Sequence, residues 1–394
     1  MGRTLPLAMP LAARAEDRVA TTGISWYIWC SVIAVTSAIV GVHWDISWHE
    51  SIGRDTFWSP PHMGIYLCGV LAGVSSAYLI LSATFGSLAG AKETSIRLWG
   101  FRGPVGAFIS AWGGVAMLVS APFDDWWHNA YGLDVKIVSP PHVLLGIGIL
   151  AIRLGTLILI LGEMNRAQGA LREKFEWLFL YVGSLFVMGL LILTMEHTIR
   201  SFMHSARFYL LVSLAAPVWF TGISRASGRR WAATTMAAIY TGYMVALVWI
   251  LPLFPAQPKL GPVYQKVTHF IPPEFPLLLI APALALDLLR SRIARWTAWK
   301  QAALAGATFL ATFVAVQWPF ADFLMSPPAR NWFFGAHYFG YFVEPTSPYF
   351  RNQFVRFEST PMEFAARLAF ALGAAILSCR IGLAWGDWMR RIRR

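Results

Sequence analysis

The feature that most constrains this chain is a series of long apolar runs separated by short polar or basic segments. A helix needs about 20 apolar residues to cross a hydrocarbon core about 30 Å thick. Charged residues make up only 13% of the chain, about half the share found in a typical soluble domain. The pattern predicts an all-α fold, a polytopic membrane bundle of about ten transmembrane helices. The predicted spans are roughly 23–42, 63–86, 104–122, 143–162, 175–195, 206–223, 231–253, 273–289, 301–319 and 361–386.

The basic residues predict how this bundle is oriented. With a cytoplasmic N-terminus, one side of the membrane receives twenty Lys and Arg residues, whereas the opposite side, with longer loops, receives nine. The positive-inside rule then places both termini in the cytoplasm, the chain in a bacterial inner membrane and the longer loops in the periplasm. This asymmetry accounts for most of the net charge of +12, so the lipid bilayer is the expected partner and nucleic acid is not.

The chain divides into three predicted regions. Residues 1–22 form a cytoplasmic N-terminal segment, which has three arginines but no apolar run typical of a signal peptide. Residues 23–165 form a first membrane half, and residues 166–394 add further helices with a long outer loop at about 320–360. The first half is the more informative, because its two outer loops share a motif.

That motif is an internal repeat. Both copies fit Asp-x-x-Trp-His-x-x-x-Gly-x-Asp followed by Ser-Pro-Pro-His, at residues 45–62 and again at residues 124–142. Each copy begins at the outer end of one predicted span and finishes at the start of the next. Such a match, about 80 residues apart in an apolar chain, is unlike a chance recurrence.

The spacing of the repeat suits metal binding. An Asp and a His at i and i+4 lie on one face of a helix, close enough to share an ion. The second His follows Pro-Pro, which favours the first turn of a helix and so places the imidazole at a helix start. One carboxylate and two imidazoles would then converge from two helix ends. The predicted metal ligands are Asp45, His49, His62, Asp124, His128 and His142.

Four further residues of the repeat have predicted supporting roles. Asp55 and Asp134 are candidates to accept a hydrogen bond from a ligand imidazole and orient it. Trp48 and Trp127 are candidates to shield the metals or to pass electrons, although tryptophans at such positions are commonly interfacial belt residues. The ligand set suits copper, and iron or zinc also fit it.

The first copy resembles a segment of a known family. Its Asp45-x3-His49-x12-His62 spacing, with Arg54-Asp55-Thr56 between the histidines, is similar to a copper-ligand segment in a membrane subunit of the particulate methane and ammonia monooxygenases. The second copy resembles the second copper segment of the same subunit, an Asn-x3-His-x13-His pattern. The resemblance covers about residues 40–165. It implies two neighbouring copper sites and partners such as other oxygenase subunits, an electron donor or a copper chaperone.

The chain also departs from this family. Asp124 stands where the family's second segment has Asn, and the added negative charge favours a harder or more oxidised ion. The chain is much longer than the family's subunit, by about four spans. The resemblance therefore supports a membrane copper site more strongly than it supports any particular substrate.

The second half contains one weaker candidate for a further metal site, formed by Glu196, His197 and His204. His197 and His204 are seven residues apart, so a continuous helix would place them on one face. Polar residues that simply face the membrane interface are the commoner explanation for such a group.

Three functional hypotheses follow. The leading one is a copper-dependent membrane oxidoreductase similar to the copper membrane monooxygenases. The second is a copper-handling protein that binds or delivers the metal without catalysis. The third is a structural membrane subunit in which metal locks the hairpins together. A structural site is coordinatively closed, whereas a catalytic site keeps an open position.

Overall fold

The computed structural model describes residues 23–53, 55–86, 94–132, 139–259, 267–335 and 353–393. These residues contain eleven α-helices and one short hairpin of strands β1 (Ile96–Leu98) and β2 (Phe101–Gly103). The all-α prediction is confirmed. The helices are α1 (Trp26–Ser51), α2 (Pro60–Phe85), α3 (Val105–Tyr131), α4 (Pro140–Arg166), α5 (Gly169–Thr194), α6 (Ala206–Ala215), α7 (Pro217–Ser227), α8 (Ala232–Ile250), α9 (Ile280–Ile293), α10 (Ala298–Met325) and α11 (Pro361–Met389).

The described part of the chain has nine helical stretches that are long and apolar enough to cross a membrane. Helices α6 and α7 together form one of these stretches, because only Ala216 separates them. The chain is therefore a multi-pass membrane protein. The predicted segment 1–22 lies outside the described residues, as does part of the predicted loop at 320–360.

The predicted span at 273–289 is wrong as a continuous helix. Only its second part is helical, in α9, and the residues from 267 to 278 are extended. Pro272, Pro273 and Pro276 explain the difference, since proline lacks the N–H group that a helix interior requires.

The extended segment and α9 nevertheless run from one end of the bundle to the other. Glu274 accepts a hydrogen bond from the backbone N–H of Arg200, just beyond the end of α5, at 2.7 Å. At the opposite end Asp287 accepts one from the backbone N–H of Thr234, in the first turn of α8, at 2.8 Å. The segment thus supplies a tenth crossing, half extended and half helical.

Side chains of three neighbouring helices satisfy the backbone of this extended half. The N–H groups of Ile271, Leu277 and Leu278 donate to Ser51 Oγ, Tyr240 Oη and Gln317 Oε1, at 2.7, 3.1 and 2.9 Å. Irregular backbone is tolerated at membrane depth only where it is buried in protein and its polar groups are paired. α1, α8 and α10 provide that environment here.

Both ends of the described chain lie at the same end of the bundle. Asn165, at the end of α4, donates hydrogen bonds to the carbonyls of Met389 and Ile392 beyond the end of α11, at 2.9 and 2.7 Å. The start of α1 is nearby, because Tyr27 interacts electrostatically with Glu163 and Arg166. We call this the basic end and the opposite end the metal end. Which side of the membrane each end faces stays a prediction.

Glycines allow the first two hairpins to close tightly. A Cβ atom at Gly113 of α3 would lie 2.7 Å from the carbonyl oxygen of Gly148 on α4, and one at Gly41 of α1 would lie 2.8 Å from the backbone nitrogen of Ile65 on α2. Small residues at such positions let helix backbones approach closely in a membrane. Close approach brings the last turns of α1 and α3 next to the first turns of α2 and α4.

Candidate metal centre

Centre 1, formed by Asp45, His49, Asp55 and His62, lies where α1 ends and α2 begins. Asp45 and His49 are in the last two turns of α1, which is helical to Ser51, well beyond the predicted span. α2 begins at Pro60, as the Pro-Pro motif predicts, and the imidazole of His62 is in its first turn.

The nitrogen and oxygen donors of centre 1 converge. His49 Nε2 lies 3.8 Å from Asp45 Oδ2, and His62 Nε2 lies 3.3 Å from Asp45 Oδ1. One ligand atom each of Asp45, His49 and Asp55 all lie within 4.8 Å of one another. The structure therefore brings together the three ligands that the first copy of the repeat predicts, and adds Asp55.

Asp55 contacts both imidazoles rather than orienting one of them from behind. Its Oδ2 atom lies 3.1 Å from His62 Nε2 and 3.5 Å from His49 Nε2, and its side chain is only 8% exposed. Burial raises the pKa of this carboxyl, but contact with His62 and the charges of the neighbouring imidazoles lower it further, so the net shift is downward. Asp55 is therefore positioned as a fourth, anionic ligand.

Centre 2, formed by Asp124, His128 and His142, repeats this arrangement at the ends of α3 and α4. Asp124 lies 3.5 Å from His128 and 3.4 Å from His142, measured from carboxylate oxygen to Nε2. Ser139 caps α4 by accepting a hydrogen bond from the backbone N–H of His142 at 3.4 Å, which sets the first turn that carries this imidazole. One ligand atom from each of the three residues lies within 4.8 Å of the others. Asp134, the counterpart of Asp55, lies outside the described residues.

The donor atoms themselves fit a bound metal ion. Asp45 Oδ1 and Asp124 Oδ1 are buried without a hydrogen-bond partner among the described residues. Each faces an imidazole nitrogen, at 3.3 Å from His62 and 3.4 Å from His142, yet without hydrogen-bond geometry. A buried oxygen left in this state costs free energy, and a cation between carboxylate and imidazole removes that cost. Imidazole with carboxylate is a donor set for copper, zinc or iron.

The two centres are neighbours, and Tyr66 lies between them. Tyr66 follows His62 by one helical turn on α2, and the two rings are 6.0 Å apart. Its hydroxyl interacts electrostatically with carboxylates of both centres, those of Asp45, Asp55 and Asp124. Tyr66 was not among the residues predicted from the repeat, although its spacing of four from His62 was the available signal. The second copy has Gly146 at the equivalent position.

The two predicted tryptophans pack in aromatic clusters beside the centres. Trp48 lies 5.8 Å from the ring of Phe270, in a small apolar cluster at the metal end. Trp127 lies 4.6 Å from the ring of Tyr131 and 6.0 Å from that of Phe123. These contacts give both residues a packing role, and electron transfer through them stays a prediction.

Glu196, His197 and His204 do not come together as a third centre. The continuous helix assumed for them is wrong, because Met195–His197 and Arg200–Phe202 are separate 3-10 turns. His204 instead stacks between the rings of Trp318 and Phe354, and its Nε2 lies 3.3 Å from Asp322. Among the described residues, groups of three or more potential ligands occur only at centres 1 and 2.

Comparison of the chain with protein-family models, with curated proteins and with solved structures finds no match. The resemblance to the copper membrane monooxygenases therefore stays a prediction that depends on the residues of the repeat.

Proposed function

We propose that this chain is a membrane copper protein whose two centres serve an oxidoreductase reaction similar to that of the copper membrane monooxygenases. The observation that carries the proposal is the convergence, twice at one end of the bundle, of one carboxylate and two imidazoles on a common point. Copper forms the most stable complexes of the divalent first-row metals with such nitrogen and oxygen donors.

The two centres have different parts in this proposal. Centre 1 offers four protein donors, which is the number that closes a structural site. Centre 2 has three described donors, which leaves a position for oxygen or substrate. Centre 2 is therefore proposed as the reactive centre, and centre 1 as the site that holds its copper permanently.

The chain's own residues would prepare centre 2 for this role. When bound, copper would supply the redox chemistry with dioxygen. The carboxylate of Asp124 holds both imidazoles in position from two sides. Beside it, Phe123, Trp126, Trp127 and Tyr131 form an aromatic cluster on the last turns of α3, and Trp126 is 56% exposed. In a bilayer this exposed aromatic surface would face lipid, the phase from which a small apolar substrate arrives.

The proposal is tested on the purified full-length protein in lipid nanodiscs. Copper is counted and its EPR spectrum recorded for the wild type and for His49→Ala and His128→Ala, and oxygen uptake is followed with a chemical reductant. We expect each variant to lose one type-2 copper signal, and His128→Ala to abolish oxygen uptake. Preparations that bind only zinc, or that bind copper with uptake insensitive to His128→Ala, would overturn the oxidoreductase proposal.

Copper handling without turnover is the second candidate. The observation that favours it is the exposure of His49, whose side chain is 38% accessible, since an exposed ligand permits exchange with a donor or acceptor. Transfer of copper from the protein to a chelator within minutes, with no oxygen uptake, would support handling over catalysis.

A further inference from the structure

A cavity of about 220 Å³ lies on the far side of α1 from centre 1. It is enclosed by α1, α5, α8 and the extended half of the tenth crossing. On α1, His43 and Glu50 are seven residues apart and share the face that lines the cavity, whereas Asp45 and His49 are on the opposite face. One helix therefore separates this cavity from a candidate copper centre.

From this cavity we infer a third metal site, specific for Cu(I). Four of the chain's 13 methionines line the cavity. Thioether sulfur is a soft ligand that selects Cu(I), whereas the carboxylates and imidazoles of centres 1 and 2 are suited to Cu(II). The donor-bearing residues of the cavity are His43, Glu50, Met188, Met195, Met244 and Glu274.

Methionine also fills irregular gaps in apolar cores, so the sulfur atoms alone do not define a site. The charge of Glu50 is the second, independent observation. This residue is surrounded by protein, lines the cavity and makes no ion pair or hydrogen bond with any described residue. The neighbouring carboxylate of Glu274 repels it and is already bonded to Arg200. A cation in the cavity would supply the missing countercharge.

His43 supplies the third type of donor. Its Nδ1–H group donates to the carbonyl of Ile39 at 2.9 Å, with Tyr243 Oη 3.1 Å from the same nitrogen. A carbonyl can only accept, so Nδ1 carries the proton and Nε2 has a free lone pair. No described residue forms a hydrogen bond with Nε2. An imidazole nitrogen, several thioethers and one carboxylate therefore border the same small space.

Met203, which also lines the cavity, is engaged elsewhere, because its sulfur accepts a hydrogen bond from Gln317 at 3.1 Å. This leaves Met188, Met195 and Met244 as the sulfur donors of the site. Its occupancy does not depend on whether centres 1 and 2 react with oxygen, so it goes beyond the proposed function. A Cu(I) store one helix away from centre 1 is the role that this placement supports.

The test measures Cu(I) binding by the full-length protein in nanodiscs under argon. Cu(I) is titrated against a colorimetric chelator, and copper–sulfur scattering is recorded by X-ray absorption. The test variant is the double substitution Met188→Leu with Met244→Leu, which conserves side-chain volume. The matched control is Met236→Leu, since Met236 is on the same helix as Met244 and fully buried but does not line the cavity.

We expect the double variant to bind one Cu(I) fewer than the wild type and to lose the sulfur scattering, with the control unchanged. Glu50→Gln, a milder change, should weaken Cu(I) binding about tenfold or more, as loss of a supporting carboxylate does at other metal sites. The variant His128→Ala should lose its Cu(II) signal but keep sulfur-bound Cu(I), which separates this site from centre 2. An unchanged Cu(I) count in both cavity variants, or wild-type protein without sulfur scattering, would overturn the inference.

Discussion

Centres 1 and 2 are built on the same repeat but differ in how completely protein encloses the donors. In centre 1 the side chains of Asp55 and His62 are 8% and 13% exposed, whereas in centre 2 that of His142 is 29% exposed. The helix ends are alike, because each pair of helices carries Asp-x-x-x-His on one and Pro-Pro-His on the other. The repeat thus specifies a common scaffold, and the loop between the helices alters the number of donors that reach the ion.

The largest expected effect comes from removing the imidazole that each second helix contributes. His62→Ala should abolish metal binding at centre 1 and leave centre 2 occupied, and His142→Ala should do the reverse, because each carboxylate then faces no second imidazole. Metal analysis and EPR of each variant check this. His197→Ala is the control, and it should keep both metals. Loss of both metals in either variant would mean that the centres form one site.

Asp55→Asn should have a smaller effect, confined to centre 1. It removes the anionic oxygen that lies 3.1 Å from His62 and 3.5 Å from His49, and we expect metal affinity there to fall about 10–100-fold. Competition with a chelator measures the change. Asp125→Asn, an exposed carboxylate beside centre 2, should leave both affinities unaltered. Equal effects of the two substitutions would indicate general electrostatics rather than direct ligation.

Gly113→Ala should separate the two hairpins by their packing. Its new Cβ atom would lie 2.7 Å from the carbonyl oxygen of Gly148, so α3 and α4 must move apart at a cost of about 1–3 kcal/mol. We expect a lower Tm and weaker metal binding at centre 2, with centre 1 retained. Gly146→Ala is the control, because nothing lies within 4 Å of a Cβ atom there. A Tm equal to that of the control would show that close packing of α3 and α4 does not support centre 2.

Tyr66→Phe should have the smallest effect on metal binding. The ring remains packed beside His62, so both copper signals should persist with affinities within about threefold of the wild type, less than 1.4 kcal/mol. The lost hydroxyl is the group between the two sets of carboxylates, and oxygen uptake should therefore slow. Unchanged uptake would limit Tyr66 to packing, and loss of either copper would make it a ligand support.

The error at 273–289 shows where hydropathy alone is insufficient. The segment is apolar enough to be predicted as a helix, but its prolines leave the first half extended. That half is stable only because Ser51, Tyr240 and Gln317 reach it from three other helices. Side chains so distant in sequence cannot be assigned to this task before the helices are packed.

Local features of the chain were enough to establish the class of fold, the helix starts at Pro60 and Pro140 and six predicted metal ligands, because these depend on apolar length, proline geometry and the i, i+4 spacing of a helix. Packing of the helices settled the rest. Asp55 joined the donors of centre 1, Tyr66 was placed between the centres, and Glu50 was left without a partner in a methionine-lined cavity. These outcomes depend on which helices pack together and how closely, and such long-range contacts leave no spacing in the chain that a pattern can detect.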